Sequence, residues 1–154
     1  MKKTEKFRLV LAVTGASGVR LSFSFLEKVL KIKEVNQIFF IYSKAASEVF
    51  QEEENRSFKT EFDKFKNKKL KVYENSHLSA EISSGSYLFS AMVILPTSMA
   101  TIGALASGAG DCLIHRVADV CLKEERKLIL CPRESPFSLI HLRNMVLLKE
   151  AGAT

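Results

Sequence analysis

The chain has 154 residues and a net charge of +6, with 47% hydrophobic and 26% charged residues, a composition typical of one globular domain. No apolar run is long enough to span a membrane, and lysines such as those in the run 64–71 predict a solvated face rather than a nucleic-acid site. Three cysteines without CxxC spacing disfavour a disulfide framework and a zinc site, so we expect a reducing, cytoplasmic location.

Short apolar runs alternate with segments of helical periodicity along the chain. Strands are predicted at 7–13, 37–42, 70–73, 91–95 and 127–131, and helices at 17–31, 44–54, 99–106, 111–125 and 138–151, with a short helix and a loop within 55–69. Pro96 and Pro132 are expected to end the fourth and fifth strands, and Asp111 to cap the helix behind it. Because strands alternate with helices, we predict a single α/β domain over residues 1–154, three-layered and doubly wound around a mostly parallel sheet.

The segment Gly15-Ala16-Ser17-Gly18 directly follows the first predicted strand. A glycine-rich turn from a strand into a helix exposes backbone N–H groups at the positive end of the helix dipole, which favours a bound phosphate. A plain strand-to-helix turn explains these four residues about equally well. In such sheets ligands bind beyond the carboxyl ends of the strands, and three further polar segments lie there, at 43–44, 96–101 and 132–136.

The residues at the end of the second strand help to indicate which nucleotide would bind. An NAD site usually has Asp or Glu there, whereas this chain has Tyr42-Ser43-Lys44, so the pattern disfavours NAD. The pattern is compatible with NADP and with FMN, whose phosphate Ser17 and Ser43 would hold. Ser43 is equally typical of a helix cap, and Ser98 with Thr101 could either cap a helix or hydrogen-bond a flat heterocycle.

Charged residues form two further groups. Arg116, Asp119 and Lys123 share one helix face, a pattern that indicates a salt-bridged surface more often than a site. Arg133 and Glu134 lie between two prolines after the fifth strand, where an arginine can bind a phosphate and a glutamate can move protons. The histidines are not accompanied by Cys or Asp at metal-ligand spacing, so we predict no metal.

Several linked motifs identify a resemblance that Gly-Ala-Ser-Gly alone would not. In chain order they are Val13–Gly18, Ser84–Ser86, Pro96–Thr101, Leu113–Glu124, Arg133–Pro136 and Ile140–Met145. Together they resemble the UbiX/Pad flavoproteins, the flavin prenyltransferases. The resemblance runs from the first strand to the last residue.

The resemblance implies a flavodoxin-like (Rossmann-like), FMN-binding domain that assembles into trimers and often dodecamers. The implied reaction transfers a dimethylallyl group from dimethylallyl monophosphate to N5 and C6 of reduced FMN, without a metal. The prenylated FMN then serves a UbiD-type decarboxylase. Two alternatives stay open: non-catalytic flavin binding, and decarboxylation of a peptidyl cysteine, which is disfavoured because no His lies between Ser17 and Lys44.

The resemblance also assigns roles by position. The expected FMN-binding residues are Gly15, Ala16, Ser17, Ser43, Ser98, Met99, Ala100, Thr101 and Arg133. Arg116, Lys123 and Glu134 match the family's prenyl-phosphate and proton-transfer residues. These types suit that chemistry, because cations stabilise a departing phosphate and a carboxylic acid can protonate it.

The chain departs from the family pattern in places. Thr97 stands where Cys is common, Ala100 where Lys is common, and Ser135 where Thr is usual. Family members continue with one more strand and helix, which carry a Tyr and an Arg for the prenyl phosphate, whereas this sequence stops at residue 154. We therefore expect a shortened or incomplete chain that lacks this final strand and helix. FMN binding would survive that loss, while prenyl transfer would depend on the two missing residues.

Overall fold

Five parallel strands form one sheet in the computed structural model, which describes residues 7–154. They are β1 (Phe7–Val13), β2 (Val35–Tyr42), β3 (Leu70–Glu74), β4 (Ala91–Thr97) and β5 (Lys127–Pro132). Their spatial order is β3-β2-β1-β4-β5, so the winding direction reverses between β1 and β4. The prediction of a parallel, doubly wound sheet is confirmed. The first six residues of the predicted domain lie outside the described part.

Helices cover both faces of the sheet. On one face lie α1 (Arg20–Leu30), α2 (Lys44–Glu54) and α3 (Phe58–Phe62), and on the other α4 (Met99–Ala106), α5 (Leu113–Lys123) and α6 (Leu139–Glu150). Both faces are covered because the strands are apolar on both sides. In the central strand β1, Leu9 and Leu11 pack into the first layer, and Val10 and Ala12 pack into the second. Within the part of the chain that the structure describes, none of these helices combines the length and apolarity needed to cross a membrane.

An aromatic cluster fills the layer under α1, α2 and α3. The ring of Phe23 lies between 5.0 and 6.0 Å, centroid to centroid, from five other rings: Phe40, Phe50, Phe58, Phe62 and Phe65. Aromatic pairs in such arrangements contribute about 0.5–1.5 kcal/mol each beyond the burial of their area. The aromatic part of this layer's core therefore comes from residues between 23 and 65, and it packs with aliphatic side chains of β1 and β4.

Several element boundaries differ from the sequence predictions. α1 begins at Arg20 rather than near Ser17, because Gly18 adopts a φ of 87° and Val19 is the N-cap. β4 and β5 each include the proline that was expected to end them. β4 accommodates Pro96 because its register with β5 shifts between Ile94 and Thr97, so no ladder hydrogen bond is required of the proline nitrogen.

The start of α5 corrects a second prediction, since Asp111 does not cap this helix. The N-cap is Cys112, whose side chain makes no capping hydrogen bond. The side chain of Asn75, directly after β3, accepts the Ile114 N–H at 2.8 Å instead. α5 also ends earlier than predicted, at Lys123. A residue distant in sequence thus supplies the cap, which local patterns cannot show.

The three cysteines lie in a predicted helix and at the end of a predicted strand, a pattern that predicts buried side chains for all of them, but in the structure they differ in burial. Cys121 in α5 is buried, and burial raises the pKa of its thiol to about 12 despite the opposing charge of Arg126. Cys112 and Cys131 are only half-buried. The prediction is therefore confirmed for Cys121 and wrong for the other two.

Candidate functional site

A cavity of about 340 Å³ opens at the carboxyl edge of the sheet, where β1, β2 and β4 end. Its walls are Thr14, Gly15, Ser43, Ala45, Asn75, Ser98, Ala100, Thr101, Ile114 and His115. The cavity lies at the point where the strand order reverses, and its volume falls within the roughly 300–1,000 Å³ of small-molecule sites. The structure therefore brings together five of the residues predicted to bind a cofactor: Gly15, Ser43, Ser98, Ala100 and Thr101.

Thr14 joins the two loops that form the floor of the cavity. Its hydroxyl donates to the carbonyl oxygen of Pro96 at 2.9 Å and accepts the Ser98 N–H at 2.8 Å. The side chain is buried, so these hydrogen bonds are shielded from water. The loop after β1 and the start of α4 are thereby held in a fixed relation, which preorganises the cavity.

The loop after β1 presents its backbone to the cavity. Gly15 packs so closely against α2 that an added Cβ would lie 2.5 Å from the Cβ of Ala45. Ala16 is buried, and its N–H donates to the Thr14 carbonyl at 2.8 Å. Ser17, the next residue, is exposed. The glycine is thus required for the approach of this loop to α2.

The last N–H of this loop already has an anionic partner. The Gly18 N–H donates to both carboxylate oxygens of Glu53 in α2, at 3.0 and 3.3 Å. Local sequence patterns do not single out Glu53, because a glutamate on a polar helix face is typical of any exposed helix. The contact agrees with the prediction that the loop before α1 favours negative charge.

Two serines at the cavity are also helix caps. Ser43 accepts the Ala46 N–H at 3.0 Å at the start of α2. Ser98 accepts the Thr101 N–H at 3.3 Å at the start of α4, and the two hydroxyl oxygens lie 3.0 Å apart. The sequence left capping and ligand contact as alternative roles for both serines. The structure confirms the caps and places the same side chains in the cavity wall.

Four predicted cofactor residues do not line the cavity. Ala16 is buried within the loop, and Ser17 is exposed. Met99 packs against the core under α4, α5 and α6. Arg133 is exposed beyond β5, where its N–H donates to the Thr97 carbonyl at 3.1 Å. Their roles toward a cofactor remain predictions.

Asn75 is a cavity residue that the sequence analysis missed. Its N–H donates to the Tyr42 carbonyl at 3.0 Å, and its own carbonyl accepts the Leu113 N–H at 2.8 Å. Together with the side-chain bond to Ile114, these contacts join the ends of β2 and β3 to the start of α5. Its place directly after β3, a strand that the sequence predicts, is the signal that would have found it.

The predicted catalytic residues do not all meet within one chain. Glu134 is exposed beyond the carboxyl end of β5 and accepts the Ser135 N–H at 3.0 Å. Lys123 ends α5 near the other end of that strand, with Nζ 3.9 Å from Glu124. Because β5 has six residues and rises roughly 3.3 Å per residue, Lys123 and Glu134 lie at opposite edges of the sheet.

Arg116 lies between the two, on the exposed side of α5. Its Nε donates to the Ser83 carbonyl at 3.1 Å, and its Nη1 lies 3.2 Å from Asp119. The predicted surface ion pair is confirmed for Arg116 and Asp119, whereas Lys123 pairs elsewhere. Arg116 borders a second cavity of about 200 Å³, next to the glycine-rich segment 108–110.

Arg126 holds the segment Ser84–Ser86, one of the motifs of the resemblance. Its guanidinium donates to the carbonyl oxygens of Tyr87 and Gly85 and lies 4.6 Å from the ring centroid of Phe89. Gly85 has little room, since an added Cβ would lie 2.8 Å from a carboxylate oxygen of Glu124. The segment is therefore fixed against the end of α5, beside Lys123.

A charged cluster fixes the turn Glu81–Ser83 that precedes this segment. Glu81 accepts hydrogen bonds from Lys71 and Tyr73, both at 2.7 Å. Burial would raise the pKa of Glu81, but these hydrogen bonds and the Lys71 charge lower it to about 2. Burial and the bond to Glu81 raise the pKa of Tyr73. At neutral pH Glu81 is thus ionised, Tyr73 is neutral, and the turn keeps its hydrogen bonds.

The chemistry of the cavity wall fits FMN. Gly15 allows close approach to the backbone of the loop, and Ser43 adds a hydroxyl on the side where a phosphate would lie. Ser98 and Thr101 add hydroxyls on the opposite side, while Ala45, Ala100 and Ile114 supply apolar surface for a flat ring. No carboxylate lies among the residues that line this cavity in the described part, which disfavours a ribose-binding NAD site.

Comparison with known proteins supports this interpretation. A sequence model of the Flavoprotein family matches residues 1–154. Flavin prenyltransferase UbiX of Thermoplasma acidophilum is 41% identical to the chain over 145 residues, which cover 94% of this chain and 76% of that protein. The prediction of a flavoprotein is thus confirmed.

Two solved structures share the fold at appreciable identity. AnUbiX (PadA1), in complex with FMN and dimethylallyl pyrophosphate, has a TM-score of 0.85 and 35% identity, covering 97% of this chain and 77% of that chain. The dodecameric FMN-dependent UbiX-like decarboxylase from Escherichia coli O157:H7 has a TM-score of 0.87 and 34% identity, covering 96% of this chain and 78% of that chain. The chain is therefore a member of the Flavoprotein family, in its UbiX group, as its motifs predict.

Proposed function

We propose that this protein is a cytoplasmic flavin prenyltransferase that transfers a dimethylallyl group from dimethylallyl monophosphate to reduced FMN. The cavity at the strand-order reversal carries the proposal, because a phosphate-type loop and two hydroxyl-capped helices converge on it. Relatives with about 40% identity are named flavin prenyltransferases, and AnUbiX is in complex with FMN and dimethylallyl pyrophosphate. Both findings support the same class of reaction.

The chain's own groups would bind FMN from two sides. Backbone N–H groups of Gly15 and Ser17, with the Ser43 hydroxyl, would bind the phosphate, and Ser98 and Thr101 would hydrogen-bond the ring. The buried Thr14 hydroxyl keeps the two sides at a fixed separation. When bound, FMN supplies the ring nitrogen and carbon atoms to which the prenyl group is attached.

The charged residues would act on the leaving phosphate. Arg116 and Lys123 would neutralise the negative charge that develops as the carbon–oxygen bond of the prenyl phosphate breaks. Glu134 would donate the proton that the phosphate takes up. Because Lys123 and Glu134 lie at opposite edges of the sheet in one chain, we propose that neighbouring copies complete each site.

The surface of α6 supports such an assembly. Five large apolar side chains on this helix are between 46% and 69% exposed: Leu139, Ile140, Leu142, Val146 and Leu147. Contiguous apolar surface of this kind marks contact with another protein more often than free surface. The helix begins a few residues after Glu134, so contacts along it would place a second chain beside that carboxylate.

We expect the purified protein to be a homo-oligomer, either a trimer or a dodecamer. Light scattering at micromolar concentration measures this directly. Ile140→Lys should shift the population toward smaller species by placing a charge in the proposed interface, whereas Ile32→Lys, on the opposite layer of the fold, should not. A monomeric wild-type protein would contradict the proposal.

We expect the protein to carry non-covalently bound FMN, and Ser17→Asp to lose it. The substitution places a carboxylate where the phosphate is expected, and like charges repel strongly in such a loop. Ser17 is exposed, so the fold should tolerate the change, and Ser17→Asn is the uncharged control. Flavin extraction followed by chromatography measures the bound cofactor. Full retention of FMN in the Ser17→Asp variant would place the phosphate elsewhere.

The reaction itself is tested with reduced FMN and a prenyl donor under anaerobic conditions. Mass spectrometry should detect FMN that has gained one C5H8 unit. Dimethylallyl monophosphate and dimethylallyl pyrophosphate are compared as donors, and we expect the monophosphate to be preferred. The product should then activate a UbiD-type decarboxylase that was prepared without its cofactor. Recovery of unmodified FMN with both donors would reject the proposed activity.

A further inference from the structure

We propose that Asp111, Cys112 and His115 form a Zn²⁺ site at the start of α5. Each residue offers one ligand atom, and the three atoms lie within 4.8 Å of one another. The proposal differs from the sequence prediction of no metal, which rested on finding no Cys or Asp at metal-ligand spacing from a histidine, whereas Asp111 and Cys112 precede His115 by four and three residues. The fold brings Asp111 close to the first turn of the helix, so three residues within a five-residue segment provide three converging donors.

The separation of the donors fits a shared ion. The Nδ1 atom of His115 lies 3.4 Å from Oδ1 of Asp111. Zn²⁺ binds nitrogen and carboxylate oxygen at about 2.0–2.2 Å, so two such ligands at the tetrahedral angle are about 3.4 Å apart. The thiol of Cys112 would supply the third ligand at the same end of the helix. Water or a small molecule would occupy the fourth position.

The buried Nδ1 atom of His115 is independent evidence for a bound ion. It has no hydrogen-bond partner among residues 7–154, although Asp111 is close. Buried polar atoms in folded proteins are nearly always partnered, and a bound metal ion would satisfy this nitrogen. The side chain of His115 is only 16% exposed, whereas that of Asp111 is 95% exposed. The site therefore opens to solvent through the carboxylate, which provides a path for the ion.

The donor set favours Zn²⁺ over the hard cations. Mg²⁺ and Ca²⁺ prefer oxygen ligands, whereas one sulfur, one nitrogen and one oxygen suit Zn²⁺. Cys112 is half-buried at the N-cap of α5 and would supply the sulfur ligand. A site with three protein ligands and one open position is the arrangement of catalytic rather than structural zinc.

The proposed zinc site lies between two cavities, so a bound ion would affect both. His115 lines both the cavity of about 340 Å³ and the smaller cavity that Arg116 borders. A bound ion would fix the wall between the two cavities and tie α5 to the segment 108–110 that leads into it. His115 borders the cavity proposed for FMN, but none of the three residues is assigned a role in the transfer reaction, so Zn²⁺ uptake is measured without reference to that activity.

Equilibrium dialysis of the purified protein against Zn²⁺, followed by metal analysis, tests the proposal. We expect one Zn²⁺ per chain, and a loss of affinity of at least about 10-fold in Cys112→Ala and in His115→Ala, because even outer-shell changes weaken metal sites by 10–100-fold. Cys131→Ala and His77→Ala are the matched controls, since Cys131 is also half-buried and His77 is exposed. Both controls should bind Zn²⁺ like the wild type.

A second measurement identifies the ligand. Co²⁺ in place of Zn²⁺ should show a thiolate charge-transfer absorption that disappears in Cys112→Ala and persists in Cys131→Ala. Circular dichroism of each variant confirms that it is folded. Absence of Zn²⁺ uptake by the wild type, or equal uptake by the wild type and both ligand variants, would overturn the proposal.

Discussion

Glu134→Gln and Lys123→Ala should each lower the rate of prenyl transfer by about 10²–10³-fold while FMN stays bound. One lost proton donor or one lost charge at a developing phosphate typically has an effect of this size. Both side chains lie outside the 340 Å³ cavity, so neither substitution removes a contact that would hold FMN. Single-turnover formation of prenylated FMN gives the rate, and flavin absorbance of the washed protein gives the retained cofactor.

The controls for this prediction carry the same changes at exposed positions away from the site. Lys33→Ala and Glu34→Gln lie between α1 and β2, at the amino edge of the sheet, and should leave the rate unchanged. If the Glu134 and Lys123 variants form prenylated FMN as fast as the wild type, these residues are structural and the assignment is wrong. Loss of FMN from either variant would instead place that residue at the cofactor.

Gly15→Ala should destabilise the fold and abolish FMN binding. The new Cβ would lie 2.5 Å from the Cβ of Ala45 and 3.3 Å from its backbone carbon, so α2 must move away from the loop. Overpacking of this kind usually costs about 1–3 kcal/mol in the free energy of unfolding. The displaced loop and helix would also widen the phosphate side of the cavity. Chemical denaturation measures the first effect and flavin titration the second.

Gly103→Ala is the matched control for this change. An added Cβ at Gly103, in the interior of α4, would meet Asn144 at an ordinary contact distance of 3.6 Å. Alanine is also the better helix former by up to about 1 kcal/mol, so this variant should be as stable as the wild type or more stable. A Gly15→Ala protein with unchanged stability and unchanged FMN affinity would show that the loop adapts at no cost.

The layers of the fold followed from local sequence patterns. Continuous apolar runs such as that of β1 predict strands buried on both faces, and the helical segments between them predict parallel connections. Details that depend on distant partners were not predictable. The Asn75 cap of α5 and the inclusion of Pro96 in β4 both arise from contacts between segments far apart in sequence.

The residues of the candidate site also fall into those that local sequence patterns predict and those that depend on distant partners. Gly15, Ser43 and Ser98 were predictable, because each follows a strand whose carboxyl end meets the others at one edge of the sheet. Glu53 and His115 were not, because their importance comes from what lies beside them, a backbone N–H of the glycine loop and a neighbouring carboxylate. Motif order correctly indicated the family, yet it could not show how Lys123 and Glu134 are separated in one chain.

The aromatic cluster under α1, α2 and α3 has a consequence for how the chain folds during synthesis. All of its rings lie between residues 23 and 65, so these rings can pack together while the ribosome is still adding β4, whose Ala91 and Val93 complete the same layer. One edge of β1 stays unpaired until β4 has been made, since Leu9 pairs with Ala91 in the folded sheet. The cavity needs the ends of both strands, and we therefore expect ligand binding to be the last property that the nascent protein acquires.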